Sequence, residues 1–156
     1  MFAGSFELEA AEDICGDDLA PGELLDLLSS LVDKSILSRT ESNGVIRFRL
    51  LETLRDYGRE QIRQTDEYAE LRRRHGDWYR RLALAAAAGW FSPRQVEWIE
   101  RLEREMPNVR EALEFGLSDS GENALAIAAV LHPFWMARGM FRGPPLARSR
   151  IGSDAE

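Results

Sequence analysis

From Glu23 onward the apolar positions first follow a helical period. Leu24, Leu27, Leu28 and Leu31 recur at that spacing, and Leu25 and Val32 widen the stripe. Pro21 sits where a first helical position is expected, and Glu23 and Asp26 suit a positive helix start. The period then switches to two. In Val45–Leu50, Ile46, Phe48 and Leu50 fall on one face and Arg47 and Arg49 on the other, as in a half-buried strand. Asn43-Gly44 supplies the two left-handed positions of a type I′ turn. The segment from Ile36 to Glu41 is the partner strand, and a two-residue loop places Leu37 opposite Leu50. A helix follows from Leu50 to Arg63, expected to bury Leu51, Leu54 and Ile62 while Arg55, Asp56, Arg59 and Glu60 face water. Phe48, Leu51 and Leu54 are the expected joint core. Helix, strand, tight turn, strand, helix is the core of a winged helix.

The flanks are helical. Glu7 to Cys15 reads as a short acidic helix. Tyr68, Leu71, His75, Trp78 and Leu82 form one stripe of a long helix, with Gly89 as its stop after an alanine run. Ser92-Pro93 reads as an N-cap and first turn, and Val96, Ile99, Leu102 and Met106 mark the helix it opens. Pro107 is expected to reset the chain, so that Val109, Ala112, Leu113, Gly116 and Leu117 mark a separate short helix. Glu122 to Arg138 is apolar nearly all round, with Pro133 expected to kink or restart it. The segment from Met140 onward has no periodicity, contains Gly143-Pro144-Pro145 and reads as disordered. The fold class is therefore mainly α. A partial winged-helix domain over 1–64 leads into a tetratricopeptide-like antiparallel helical domain over 65–139, and a tail covers 140–156.

Composition narrows the function. The 156 residues carry a formal net charge of −7, which argues mildly against a general nucleic-acid binder. Lys34 is the sole lysine, and residues 1–33 contain no Lys or Arg. A single cysteine, Cys15, precludes an internal disulfide and fits a reducing, cytoplasmic setting. No apolar run reads as a membrane span, and no secretory signal opens the chain.

Chemistry is sparse. There is no phosphate-cradling glycine loop ahead of the lysine. His75 and His132 stand apart, without cysteine or a second histidine at metal-ligand spacing, and both read as packed residues. Trp78, Trp90, Trp98 and Trp135 read as core rather than stacking platforms. No catalytic residue, metal ligand or cofactor is assigned. The candidate DNA-reading helix, Glu23 to Lys34, offers Glu23, Asp26, Ser29, Ser30, Asp33 and Lys34. Phosphate neutralisation needs Lys and Arg, and base readout favours Arg, Asn or Gln. Direct DNA binding through this helix is therefore not expected. Arg39, Arg47, Arg49 and Arg55 are the candidates for phosphate or partner contacts.

The blocks FAGSFELEAAEDIC, LLDLLSSLVDKSIL, RFRLLETLRDYGREQI, LRRRHGDWYRRLA and WIERLEREMPNVREALEF resemble, in order and spacing, the segment after the nucleotide-binding core of STAND-class regulators. These are the LuxR-family and AfsR-like ATPase transcriptional regulators. The resemblance covers about residues 2–140, and RFRLLETLRDY is its most specific block. It implies a winged helix acting as an internal relay, followed by tetratricopeptide-like helices that sense an inducer or partner. DNA binding is assigned to a separate domain. It also implies that the NTPase core and the first winged-helix helix are missing here and that the tail is a truncated end. Many such proteins carry Met-His-Asp at the end of the second wing strand, with the histidine on bound ADP. Leu50-Leu51-Glu52 stands there, and leucine cannot donate to a phosphate.

The expected function is a non-catalytic protein-interaction fragment of such a regulator. Its partner would be an NTPase core, another regulator domain or a second copy of itself, with no membrane contact. The alternative is a stand-alone winged-helix DNA-binding regulator with a helical dimerisation domain.

Overall fold

The structure, a computed structural model, describes residues 1–16, 19–20, 22–119 and 121–139. Pro21 and the 140–156 segment, for which a first-turn position and disorder were expected, lie outside the described residues.

Helices α1 (Leu8–Cys15) and α2 (Glu23–Asp33) precede a hairpin of β1 (Leu37–Ser42) and β2 (Val45–Leu50). Asn43 and Gly44 take φ of 53° and 75°, as the type I′ turn requires, and Leu37 pairs with Leu50. The free edge of β2 is partly covered. Phe6 and Phe48 exchange both backbone hydrogen bonds, at 2.9 and 2.8 Å, in an antiparallel bridge. Phe6, Ala11, Leu28, Leu37 and Phe48 form a small core, with Leu24, Leu31 and Val32 around it. α2 ends with Ser35 at φ 57°, a left-handed cap held by the Ile36 amide on the Leu31 carbonyl at 2.9 Å.

Four more helices follow: α3 (Glu52–Ile62), α4 (Asp66–Ala88), α5 (Gln95–Ser118) and α6 (Glu122–Ala137). The last three pack on one another around Tyr79, Leu82, Ala86, Leu102, Val109, Ile127, Leu131 and Phe134. Trp90 is buried in this core, and Trp78, Trp98 and Trp135 pack against it, as read from the sequence. Gly89 and Gly116 permit two close approaches. A Cβ at Gly89 would lie 2.2 Å from Trp98 Nε1, and one at Gly116 would lie 2.9 Å from the Ala124 backbone nitrogen. The molecule is thus mainly helical, a partial winged helix joined to packed helices. Phe2 touches both cores, stacking on Phe6 at 4.1 Å and meeting His75 edge-on at 5.7 Å.

Several expectations are corrected. α5 runs unbroken through Pro107. Buried Leu102 and Met106 before the proline, and Val109 and Ala112 after it, anchor both halves to one core, so packing overrides the local break. α6 likewise continues through Pro133 and does not restart there. α3 buries no residue at all. Leu51 and Leu54 are 53% and 36% exposed, and Arg55 and Arg59 turn inward instead. The reason is polar. Arg55 donates to the Ala3 carbonyl at 2.9 Å and Arg59 pairs with Glu111 at 3.2 Å, so the charged face of α3 is held against the body. His132 is exposed, because α6 buries the side carrying Ala124, Ile127, Leu131 and Phe134.

Candidate functional site

The chemistry of this molecule concentrates where the winged unit meets the helices. Alternation along β2 sends Phe48 to one face and Arg47 to the other. Arg47 is only 7% exposed. Its Nε donates to Ser5 Oγ at 2.9 Å and its Nη2 to the Ser5 carbonyl at 2.7 Å. Its Nη1 donates to Glu7 Oε1 at 2.9 Å and to Glu105 Oε1 at 2.5 Å.

Glu105 lies on the core stripe of α5, one turn from Leu102 and Val109, and is 4% exposed. Its second oxygen accepts from the Tyr79 hydroxyl at 2.8 Å and from Asn108 Nδ2 at 3.1 Å. Asn108 Nδ2 also donates to the Ser5 carbonyl at 2.9 Å, and its Oδ1 accepts the Ala3 and Gly4 amides, both at 2.9 Å. Gly4 fits closely here, since a Cβ on it would meet Pro107 at 3.0 Å. Burial raises the Tyr79 hydroxyl well above its ordinary range, and the adjacent Glu105 charge adds to this, so it stays a donor. Charge pairing and full hydrogen bonding are what make a buried carboxylate tolerable. This network ties a strand, the N-terminal segment, α4 and α5 into one clasp.

Of the arginines singled out in the sequence, Arg47 is the centre of this clasp. Arg39 is exposed and paired with Glu41 at 3.3 Å, and Arg49 is exposed. Arg55 lies on α3, bonded to Ala3 and paired with Glu52 at 3.5 Å and Asp56 at 3.3 Å. The structure therefore does not gather the four into one surface. Leu50 is half-buried at the end of β2, Leu51 is the exposed residue preceding α3, and Glu52 opens that helix. The partners Ser5, Tyr79, Glu105 and Asn108 were not foreseen. A signal for two of them exists, because Glu105 and Asn108 interrupt the apolar stripe of α5.

The outer side of α2 is apolar and acidic. Leu25 and Leu27 are 44% and 51% exposed beside exposed Glu23, Asp26 and Asp33. A groove of about 520 Å³ runs between α2 and β2, walled by Leu8, Leu25, Val32, Ile46 and Phe48. His75 is buried against Phe2 and Tyr79, with Nε2 unpartnered. Burial, reinforced by the Met1 amine, Arg72 and Arg59, lowers its pKa to about 3. Burial raises the Cys15 thiol above its usual value. Among the described residues no group of three or more His, Cys, Asp or Glu could hold a metal ion, and no helix is long and apolar enough to cross a membrane.

No family model and no solved structure matches the chain. Its curated relatives include HTH-type transcriptional regulators of Mycobacterium bovis and of two strains of Mycobacterium tuberculosis. Each is 35% identical over 143 residues, which is 90% of this chain and 16% of the relative. The chain therefore spans about one-sixth of the length of these relatives.

Proposed function

We propose that this chain is a non-catalytic relay segment of a transcriptional regulator of the STAND, LuxR-like type. In this reading a winged-helix unit over 1–64 is clasped to a tetratricopeptide-like helical unit over 65–139, and both work by contact with other protein. One observation carries the reading. Arg47, the basic residue at the middle of the wing strand, is buried against Glu105 and Glu7 instead of being presented to a phosphate backbone. A displacement felt by α5 is thereby transmitted to the wing, and the reverse. The acidic, leucine-bearing side of α2 supports a protein partner over DNA, because a helix in the major groove must neutralise phosphates. The likeness to HTH-type transcriptional regulators supports the regulatory role. The setting is cytoplasmic, the reaction chemistry is none, and the partner is an adjoining regulator domain or a second copy.

A second reading has its own support: the HTH-type name of those relatives favours direct DNA contact through the winged helix. Fluorescence anisotropy with labelled genomic fragments separates the two. The relay reading expects affinity no better than non-specific, about 10⁻⁴–10⁻⁶ M at physiological salt. Sequence-selective nanomolar binding that is lost on replacing Arg39 and Arg49 by Ala would establish the second reading in its place.

A further inference from the structure

The two edges of the hairpin are treated differently. On the β2 side Phe48 spends its backbone N–H and C=O on Phe6. Arg39 lies opposite Phe48 across the hairpin, so these two form a pair that exchanges no bonds with each other. Alternation along β1 then turns the N–H and C=O of Arg39 and Glu41 outward, away from β2. Among the described residues no other backbone group bonds to them. Ser38 to Ser42 are all exposed. The devices that usually protect such an edge are missing. β1 contains no proline and no lysine, and its pairing with β2 runs from Leu37 to Ser42 without a bulge.

The sequence of this edge, Ser38-Arg39-Thr40-Glu41-Ser42, is complementary to itself when one copy is reversed. With Thr40 opposite the partner's Thr40, Arg39 faces the partner's Glu41 and Glu41 faces the partner's Arg39. Both of those residues point their bonding groups outward, so each such pair exchanges both backbone hydrogen bonds. Thr–Thr and opposite-charge pairs directly across an antiparallel ladder are favourable, and like charges there are not. The charges also select the register. Sliding the partner by one residue sets an outward-bonding residue against an inward-bonding one. Sliding it by two sets Arg39 against Arg39 or Glu41 against Glu41. Within one chain Arg39 and Glu41 already pair at 3.3 Å, with side chains 49% and 59% exposed. A reversed second copy extends this pair into a ring of alternating charge.

We propose that the free edge of β1 joins two copies of this chain, antiparallel and centred on Thr40, so that their hairpins form one continuous sheet. The contact uses the hairpin edge opposite Phe6. It goes beyond the relay reading and does not depend on it.

The test is sedimentation velocity of the whole chain over a range of concentrations, with two charge-reversal variants. Both substituted positions are exposed, and far-ultraviolet circular dichroism checks that each variant keeps its fold. The unaltered chain should show a reversible monomer–dimer equilibrium. Glu41→Arg alone, and Arg39→Glu alone, each set like charges against each other and should raise the dissociation constant about tenfold or more. An equimolar mixture of the two variants sets arginine against glutamate at both pairs and should restore the dimer. Amide exchange at Arg39 and Glu41 should be slower in the dimer than in the monomer by about tenfold or more. A chain that stays monomeric, a dimer indifferent to both variants, a mixture that remains monomeric, or Arg39 and Glu41 amides that exchange alike in both states would overturn the proposal.

Discussion

Replacing Arg47 by alanine removes one cation from a site holding two carboxylates. Glu7 has other recourse, since its side chain is 20% exposed and Arg101 lies 3.8 Å away. Glu105 does not. Its side chain is 5% exposed, and it keeps only the neutral donors Tyr79 and Asn108. Removing one member of a buried ion pair costs about 3–5 kcal/mol, mostly through the charge left behind. Arg47→Ala should therefore lose about that much in urea unfolding. Adding Glu105→Gln removes the orphaned charge while retaining an acceptor for Tyr79. The double variant should then be more stable than the sum of the two single losses by about 1–3 kcal/mol. Tryptophan fluorescence and far-ultraviolet circular dichroism should be followed together. Trp78, Trp90, Trp98 and Trp135 all lie in the α4–α6 region and report on it alone, whereas the dichroism reports on every helix. A loss under about 1 kcal/mol for Arg47→Ala, or strict additivity in the double variant, would refute the reasoning.

Other expectations concern packing and pH. Phe48→Ala should cost about 3–5 kcal/mol, whereas Leu51→Ala and Leu54→Ala should each cost under about 1 kcal/mol, because α3 turns these leucines outward; urea melts decide this. Gly89→Ala and Gly116→Ala should each cost about 1–3 kcal/mol in the same assay, as the added methyl meets Trp98 or the Ala124 backbone. His75 is held neutral, its pKa lowered from 6.5 to about 3, so the unfolded chain binds the extra proton between those values. Its contribution is fully present above pH 6.5 and is lost as pH falls toward 3. At pH 5 the loss is about 2 kcal/mol relative to neutral pH. His75→Phe should flatten the pH dependence of the denaturation midpoint over that window; an unchanged slope would show that other groups set it.

What could be read from the sequence was whatever local chemistry decides. Asn43-Gly44 determines a turn type, and the turn determines the Leu37–Leu50 register, so the turn and register were legible, whereas Ile46, expected on the buried face, is 39% exposed. The long stripe from Tyr68 to Leu82 was legible because it runs uninterrupted over four turns. The proline at 107 misled because its local effect is real, but the residues on either side share one buried surface that only the tertiary fold reveals. α3 misled for a related reason. Its leucines fit an amphipathic stripe, yet Arg55 and Arg59 find fixed acceptors at Ala3 and Glu111, more than 50 residues away in each case along the chain. Arg47 lay on the polar face of an alternating strand, where solvent is the usual expectation. Its burial depends on Glu105, 58 residues later, and no pattern local to the strand indicates that.

In the relay reading the wing and the helices move as one body through the Arg47–Glu105 clasp. Backbone ¹⁵N relaxation measures this directly. One rotational correlation time is expected for the amides of α1, α2 and the hairpin and for those of α4 to α6, with a shorter time for the wing appearing in Arg47→Ala. A wing that already tumbles faster than the helices in the unaltered chain, or an Arg47→Ala variant that leaves the two locked, would contradict it.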